Sequence, residues 1–245
     1  MTQIRSIAGG LTGPFLAAAF TAFGTAPALA AYEEAKVVGG ARIEGTVVFN
    51  GVVPVKKIIP NKDVEVCGGA RDQAEVMVGP NKEVLDAVVY LKDVSKGKAW
   101  GKLPPTPTLN QKDCRFEPAV QIVRAGALDI LNSDPVLHNT HGFYGKRTAF
   151  NLAMPNKGDR ITKQLTKEGP VRVECDAHGW MLAWVHVADS PYFALTSKNG
   201  SFSLTDVPPG EYVVVASHSY TGETETKLTV KAGETAKLSI ELKKQ

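Results

Sequence analysis

Val171-Arg-Val-Glu-Cys175-Asp-Ala-His178-Gly-Trp-Met181 is the stretch on which the reading of this chain turns. It opens as a strand, with valines at alternate positions, and closes on a short loop. A thiol, an imidazole and a thioether fall within seven residues at the strand's end. Cys175 and His178 are three apart, and Met181 is three further on, so on a tight loop all three side chains can face one point. Those donors are soft or borderline, a set that suits copper as it cycles between a soft and a harder oxidation state. A second imidazole has to come from elsewhere. Leu128-Asp-Ile-Leu-Asn-Ser-Asp-Pro-Val-Leu-His138-Asn139 offers it: an apolar strand, a turn over residues 132–135, then a histidine.

Outward from this stretch the patterning is uniform. Apolar residues recur with period two in short runs bounded by Gly, Pro, Asn and Asp, as over residues 42–49, 83–92, 119–124, 201–204, 211–217, 225–230 and 236–242. Asn50-Gly51, Asn199-Gly200 and Pro209-Gly210 are turn dipeptides. About ten short strands with little helical periodicity predict an all-β fold of packed sandwiches. A boundary is expected near residues 189–191, giving one domain over 41–189 and a second over 190–245.

Composition sets the setting. The chain has 245 residues, 43% hydrophobic and 22% charged, an ordinary globular balance. Residues 1–30 read as a cleavable export signal: Arg5 is their one charge, an apolar stretch follows, and Ala28-Leu29-Ala30 ends it. A membrane anchor fits less well, because Gly13, Pro14, Gly24 and Pro27 interrupt the stretch and no basic stop-transfer segment follows. Without the signal the formal charge falls from +3 to +2 through loss of Arg5. That small charge gives no electrostatic reason to bind nucleic acid or a membrane. The expected location is periplasmic or secreted. Three cysteines, Cys67, Cys114 and Cys175, would then lie in an oxidising compartment. An odd count leaves one thiol over, which a bound metal would protect.

His138-Asn139 together with Cys175-x-x-His178-x-x-Met181 strongly resembles the cupredoxin family of plastocyanin, amicyanin and pseudoazurin, in ligand type, order and loop spacing. The resemblance implies a Greek-key β-sandwich holding one type 1 copper ion. His138, Cys175 and His178 would be its equatorial ligands, Met181 its weak axial ligand, and Asn139 an outer group tying two strands together. With Cys175 on the metal, Cys67 and Cys114 remain to form a disulfide that closes a loop of some 47 residues. The C-terminal stretch resembles the transthyretin-like or carboxypeptidase-regulatory-like sandwich, through Asn199-Gly200 with Phe202 and Pro208-Pro209-Gly210 with Tyr212. That family's first strand is missing from 190–245. Ile43-Glu-Gly45-Thr-Val47 has its look, so the module could instead be split around the copper domain. Chains combining the two modules resemble methylamine-utilisation-type, plastocyanin-like proteins.

The implied function is single-electron carriage between periplasmic redox partners, such as a c-type cytochrome or a dehydrogenase. Two imidazoles, a thiolate and a thioether leave no open position for substrate, so an enzyme is not expected. A different class is a carbohydrate-binding or interaction module that merely holds copper or zinc, with a glycan at the C-terminal sandwich. Tetrahedral zinc from His138, His141, Cys175 and His178 is the rival donor set, and it leaves Met181 without a role. A Cys–His nucleophile is another alternative, disfavoured because a Cys and a His three apart on a loop point to a shared centre and no orienting Asn or Asp is motif-linked to the histidine. Trp180 reads either as packing or as part of an apolar docking patch. His186 reads as structural, and His218 has no assigned role. Asp176, adjacent to Cys175, is expected to lower the potential of a bound copper.

Overall fold

A computed structural model describes residues 32–102 and 105–244. The proposed export signal lies outside them. From the N-terminal side the chain runs through β1 (Glu33–Glu34), β2 (Ala41–Val48) and β3 (Val55–Ile58). It makes one helical turn, α1 (Val64–Cys67), and continues through β4 (Arg71–Ala74), β5 (Val88–Leu91) and β6 (Lys96–Gly97). Next come β7 (Thr108–Lys112), β8 (Arg115–Glu117), β9 (Val120–Arg124), β10 (Gly126–Asn132), β11 (His138–Tyr144), β12 (Arg147–Met154), β13 (Arg160–Leu165), β14 (Gly169–Glu174) and β15 (Leu182–Ala188). The last strands are β16 (Phe193–Leu195), β17 (Ser201–Val207), β18 (Gly210–His218), β19 (Gly222–Val230) and β20 (Thr235–Glu241).

The protein is all-β, with two sandwiches and two cores. In the inner sandwich, a sheet ordered β13-β10-β7-β8 and another ordered β12-β11-β14-β15-β9 hold a common core. Alternation produces it: Val171 and Val173 of β14 and Ala183, Val185 and Val187 of β15 are buried. In the outer sandwich, sheets ordered β16-β5-β18-β19 and β17-β2-β20 enclose a second core that includes Ile43, Val47, Val89, Leu91, Phe202 and Val214.

The strand pairing moves the expected domain boundary. Residues 41–97 were expected within the copper domain, but β2 and β5 are the middle strands of outer sheets. β2 runs antiparallel to β17 and parallel to β20, and β5 lies between β16 and β18. The inner sandwich, 108–188, is therefore inserted into the outer one. The physical reason is that an alternating strand encodes which face is buried, not which neighbour completes its ladder. Gly45 shows how closely the two halves of the outer sandwich meet. It pairs with Phe202, and a side-chain carbon at Gly45 would run into the Leu238 carbonyl and the Phe202 ring.

Between β2 and β5 the chain makes an excursion. β3 and β4 pair as a hairpin around α1, and Cys67 at the end of α1 joins the inner core. There it is disulfide-bonded to Cys114, 47 residues away, with Cα atoms 4.9 Å apart. The pairing agrees with the cysteine count, and Cys175 is a free, buried thiol. Among the described residues no helix is long and apolar enough to cross a membrane.

Candidate metal centre

Three strand ends build the site. β10 ends at Asn132, whose side chain shapes the following turn. Its amide donates to the carbonyls of Val136 and Met154, both at 2.9 Å, and its oxygen accepts the Asp134 N–H at 2.9 Å. The turn delivers His138 to the start of β11, where period two directs His138 and Thr140 into the core and Asn139 and His141 away from it. β14 ends beside Cys175. Two successive turns follow, with the His178 N–H donating to the Cys175 carbonyl at 3.2 Å and the Met181 N–H to the His178 carbonyl at 2.9 Å. Equal steps of three residues thus carry Cys175, His178 and Met181 to the buried side of one loop, and all three are at most 3% exposed.

His138 Nδ1, His178 Nδ1 and Cys175 Sγ form a triangle with edges of 3.1, 3.6 and 3.8 Å. The circle through three points so spaced has a radius of about 2.0 Å. Bonds from a tetrahedral first-row ion to imidazole nitrogen are about 2.0–2.1 Å, and to thiolate about 2.3 Å. The residues therefore fit a metal ion. Met181 packs in the same core as Cys175. Another buried methionine, Met154, has its sulfur engaged by the Gln111 amide at 3.3 Å.

Each imidazole is held from behind by a carboxylate. His138 Nε2 lies 2.8 Å from Asp134 Oδ2, and His178 Nε2 lies 3.0 Å from Asp63 Oδ2. An ionised carboxylate only accepts, so both Nε2 atoms carry the hydrogen and both Nδ1 atoms of neutral rings turn a lone pair into the triangle. Two lone pairs and a sulfur converging at these distances repel one another unless a cation or a proton lies between them. The electrostatics of the ion-free groups agree. Burial pushes the Asp134 carboxyl up, but the N–H groups of Cys114 and Asp113 and the His138 ring outweigh it, leaving it below its ordinary value. Burial pushes the His138 ring down, against the pull of Asp134. Burial also raises the Cys175 thiol, against the N–H groups of Asn139, Ala177 and His178. A bound cation would displace the thiol proton.

Asn139 bonds both to the Cys175 loop and to β12. Its N–H points at Cys175 Sγ from 3.4 Å, and its side-chain oxygen accepts the Asp176 N–H at 3.4 Å. Its amide donates to Asn151 of β12. Trp180 is half-buried, donates its indole N–H to the Cys114 carbonyl at 3.2 Å, and sits 5.1 Å from the His178 ring. His141 is not brought to the triangle. It lies on the opposite face of β11, with Nδ1 on Asp176 at 3.0 Å and Nε2 on Thr148 at 3.0 Å.

Sequence reasoning missed both carboxylates. Asp134, four residues before His138, carried a signal in its spacing. Asp63 carried none, being 115 residues from His178.

Residues 181–243 match the family model of the carboxypeptidase regulatory-like domain. No curated protein matches the chain. Among solved structures the chain is similar to a purple cupredoxin from Nitrosopumilus maritimus, at 21% identity over 34% of this chain and 99% of that one, with a TM-score of 0.31. It is similar to amicyanin from Paracoccus versutus at 15% identity, over 36% of this chain and 86% of that one, with a TM-score of 0.32. It is also similar to a copper-containing nitrite reductase from Thermus scotoductus SA-01 at 20% identity and a TM-score of 0.31, over 38% of this chain and 25% of the reductase.

Proposed function

We propose that the protein is an exported carrier of single electrons, with one copper ion held by His138, Cys175, His178 and Met181. The observation that carries this reading is the triangle of two imidazole nitrogens and one thiol sulfur, about 2.0 Å from a common point. Copper supplies the one-electron couple. The chain supplies a dry, preformed pocket: His138 and His178 are fully buried and Cys175 is 1% exposed. Because the rings and sulfur are already fixed by strands, turns and hydrogen bonds, they need to move little when the charge at the centre changes by one. His138, Cys175, His178 and Met181 would hold the ion through a one-electron change, with a reduced one-electron redox protein as donor and an oxidised one as acceptor. With Met181 adding its thioether to the two imidazoles and the thiolate, no position would be open to substrate, which favours a carrier over an enzyme.

Titrating the ion-free mature protein with Cu(II) tests this. One equivalent should produce an intense visible band from thiolate-to-copper charge transfer, which ascorbate bleaches and air restores. Cys175→Ser should abolish the band. A colourless one-to-one complex with Zn(II), and no coloured complex with Cu(II), would overturn the proposal in favour of a metal-holding interaction module.

A further inference from the structure

Asp63 reaches the centre from outside the inner sandwich. It lies on the excursion between β2 and β5, strands of the outer sandwich. Its own backbone is unusual. Asp63 sits at the N-terminal end of α1 with φ 50°, in the left-handed region, where non-glycine residues are uncommon. Aspartate at such a position ordinarily turns its carboxylate onto the first free N–H groups of the helix. Here no side-chain cap is formed; the Asp63 main-chain carbonyl instead accepts the N–H groups of Val66 and Cys67, at 3.0 and 2.8 Å. The carboxylate is left to reach His178 Nε2. The segment is anchored four residues beyond that contact. Cys67 is bridged to Cys114, and the Cys114 N–H donates to Asp134 at 2.9 Å. The bridge thus couples the segment carrying Asp63 to the other carboxylate, and its sulfur atoms lie within 4.8 Å of a His178 ring nitrogen. The outcome is that His178 has no exposed edge.

We propose that Asp63, with Asp134, is a positioning residue of the metal centre: the two carboxylates hold both imidazoles with Nδ1 toward the ion, and the disulfide-anchored segment bearing Asp63 closes the His178 edge. This rests on the copper reading above. Two consequences follow from the chemistry. A carboxylate behind a ligating imidazole makes the ring a stronger donor and fixes its tautomer. Negative charge beside the ion also favours Cu(II) over Cu(I), and so lowers the midpoint potential.

Two measurements on Asp63 variants decide the matter, and Asp63 suits them because its side chain is 26% exposed and tolerates change better than buried Asp134. In the metal-free full-length protein, long-range proton–nitrogen NMR reads the tautomer of each ring. Wild type should show His178 protonated at Nε2, and Asp63→Ala should shift the ring toward the Nδ1–H form while leaving His138 unchanged. In the copper-loaded protein, Asp63→Asn should raise the midpoint potential, and Asp63→Glu should restore it toward wild type. An unchanged tautomer in Asp63→Ala, or an Asp63→Asn potential equal to that of wild type, would overturn the proposal. If wild type takes up no copper, the electron-carrier reading falls by itself, and the metal-free tautomer measurement still decides whether Asp63 orients the ring.

Discussion

The carboxylate of Asp176, the residue following Cys175, is bound to His141 at 3.0 Å and is half-exposed. It therefore faces the outer side of β11 and water, although its backbone adjoins the candidate thiolate. An exposed, paired carboxylate has a screened field. The expected outcome is that Asp176→Asn raises the midpoint potential of the copper-loaded protein, but by less than Asp63→Asn does. Voltammetry of the two variants side by side checks the order, and a fall in potential for Asp176→Asn would contradict it. His141→Ala should leave metal stoichiometry and the visible band unchanged, because that ring lies away from the triangle.

The Cys67–Cys114 bridge closes a loop whose ends are 47 residues apart. Restricting the unfolded chain by such a loop contributes about 3–4 kcal/mol. Replacing both cysteines with serine should lower the unfolding free energy of the metal-free protein by that amount. Urea titration of the two forms reads the difference directly, and equal midpoints at equal slope would refute it.

His186 of β15 is 6% exposed, and burial pushes its ring down to about 4. The unfolded chain holds this proton up to its ordinary value near 6.5. Between those two values the unfolded state binds more protons than the folded one, so stability rises with pH and is lost as pH falls through the window. The slope is at most about 1.4 kcal/mol per pH unit for this one group. Thermal melts from pH 7 to pH 4 should therefore show a steeper decline for wild type than for His186→Leu, and parallel declines would assign the acid sensitivity elsewhere.

The convergence of Cys175 and His178 was legible because it is local. Cys175, His178 and Met181 share one loop, and the step of three residues matches the turns that form there. His138 was legible from the strand and turn before it. The zinc alternative with His141 fails on a rule visible in the sequence, since positions 138 and 141 of one strand differ in parity and so face opposite sides. The boundary at 189–190 was misplaced because the partners of β2 lie far along the chain, with Arg42 opposite Thr235. The look of Ile43-Glu-Gly45-Thr-Val47 was the one available clue. Asp63 escaped for the same kind of reason: its approach to His178 is set by a disulfide and an excursion, and neither leaves a mark near the histidine.

Inserting one sandwich within another has a consequence for how the molecule comes into being. While residues 41–97 wait, β2 and β5 have unsatisfied ladders on both edges, and the strands that satisfy them are made last. The strands of the inner sandwich come from contiguous chain, and its two ends lie close enough that Tyr90 pairs with Phe193. Once folded, it would act as a clamp that lowers the loop-closure cost of the outer sheets. An ion gripped by the inner sandwich would stabilise the folded state of both, so loss of metal should be felt in strands that never touch it.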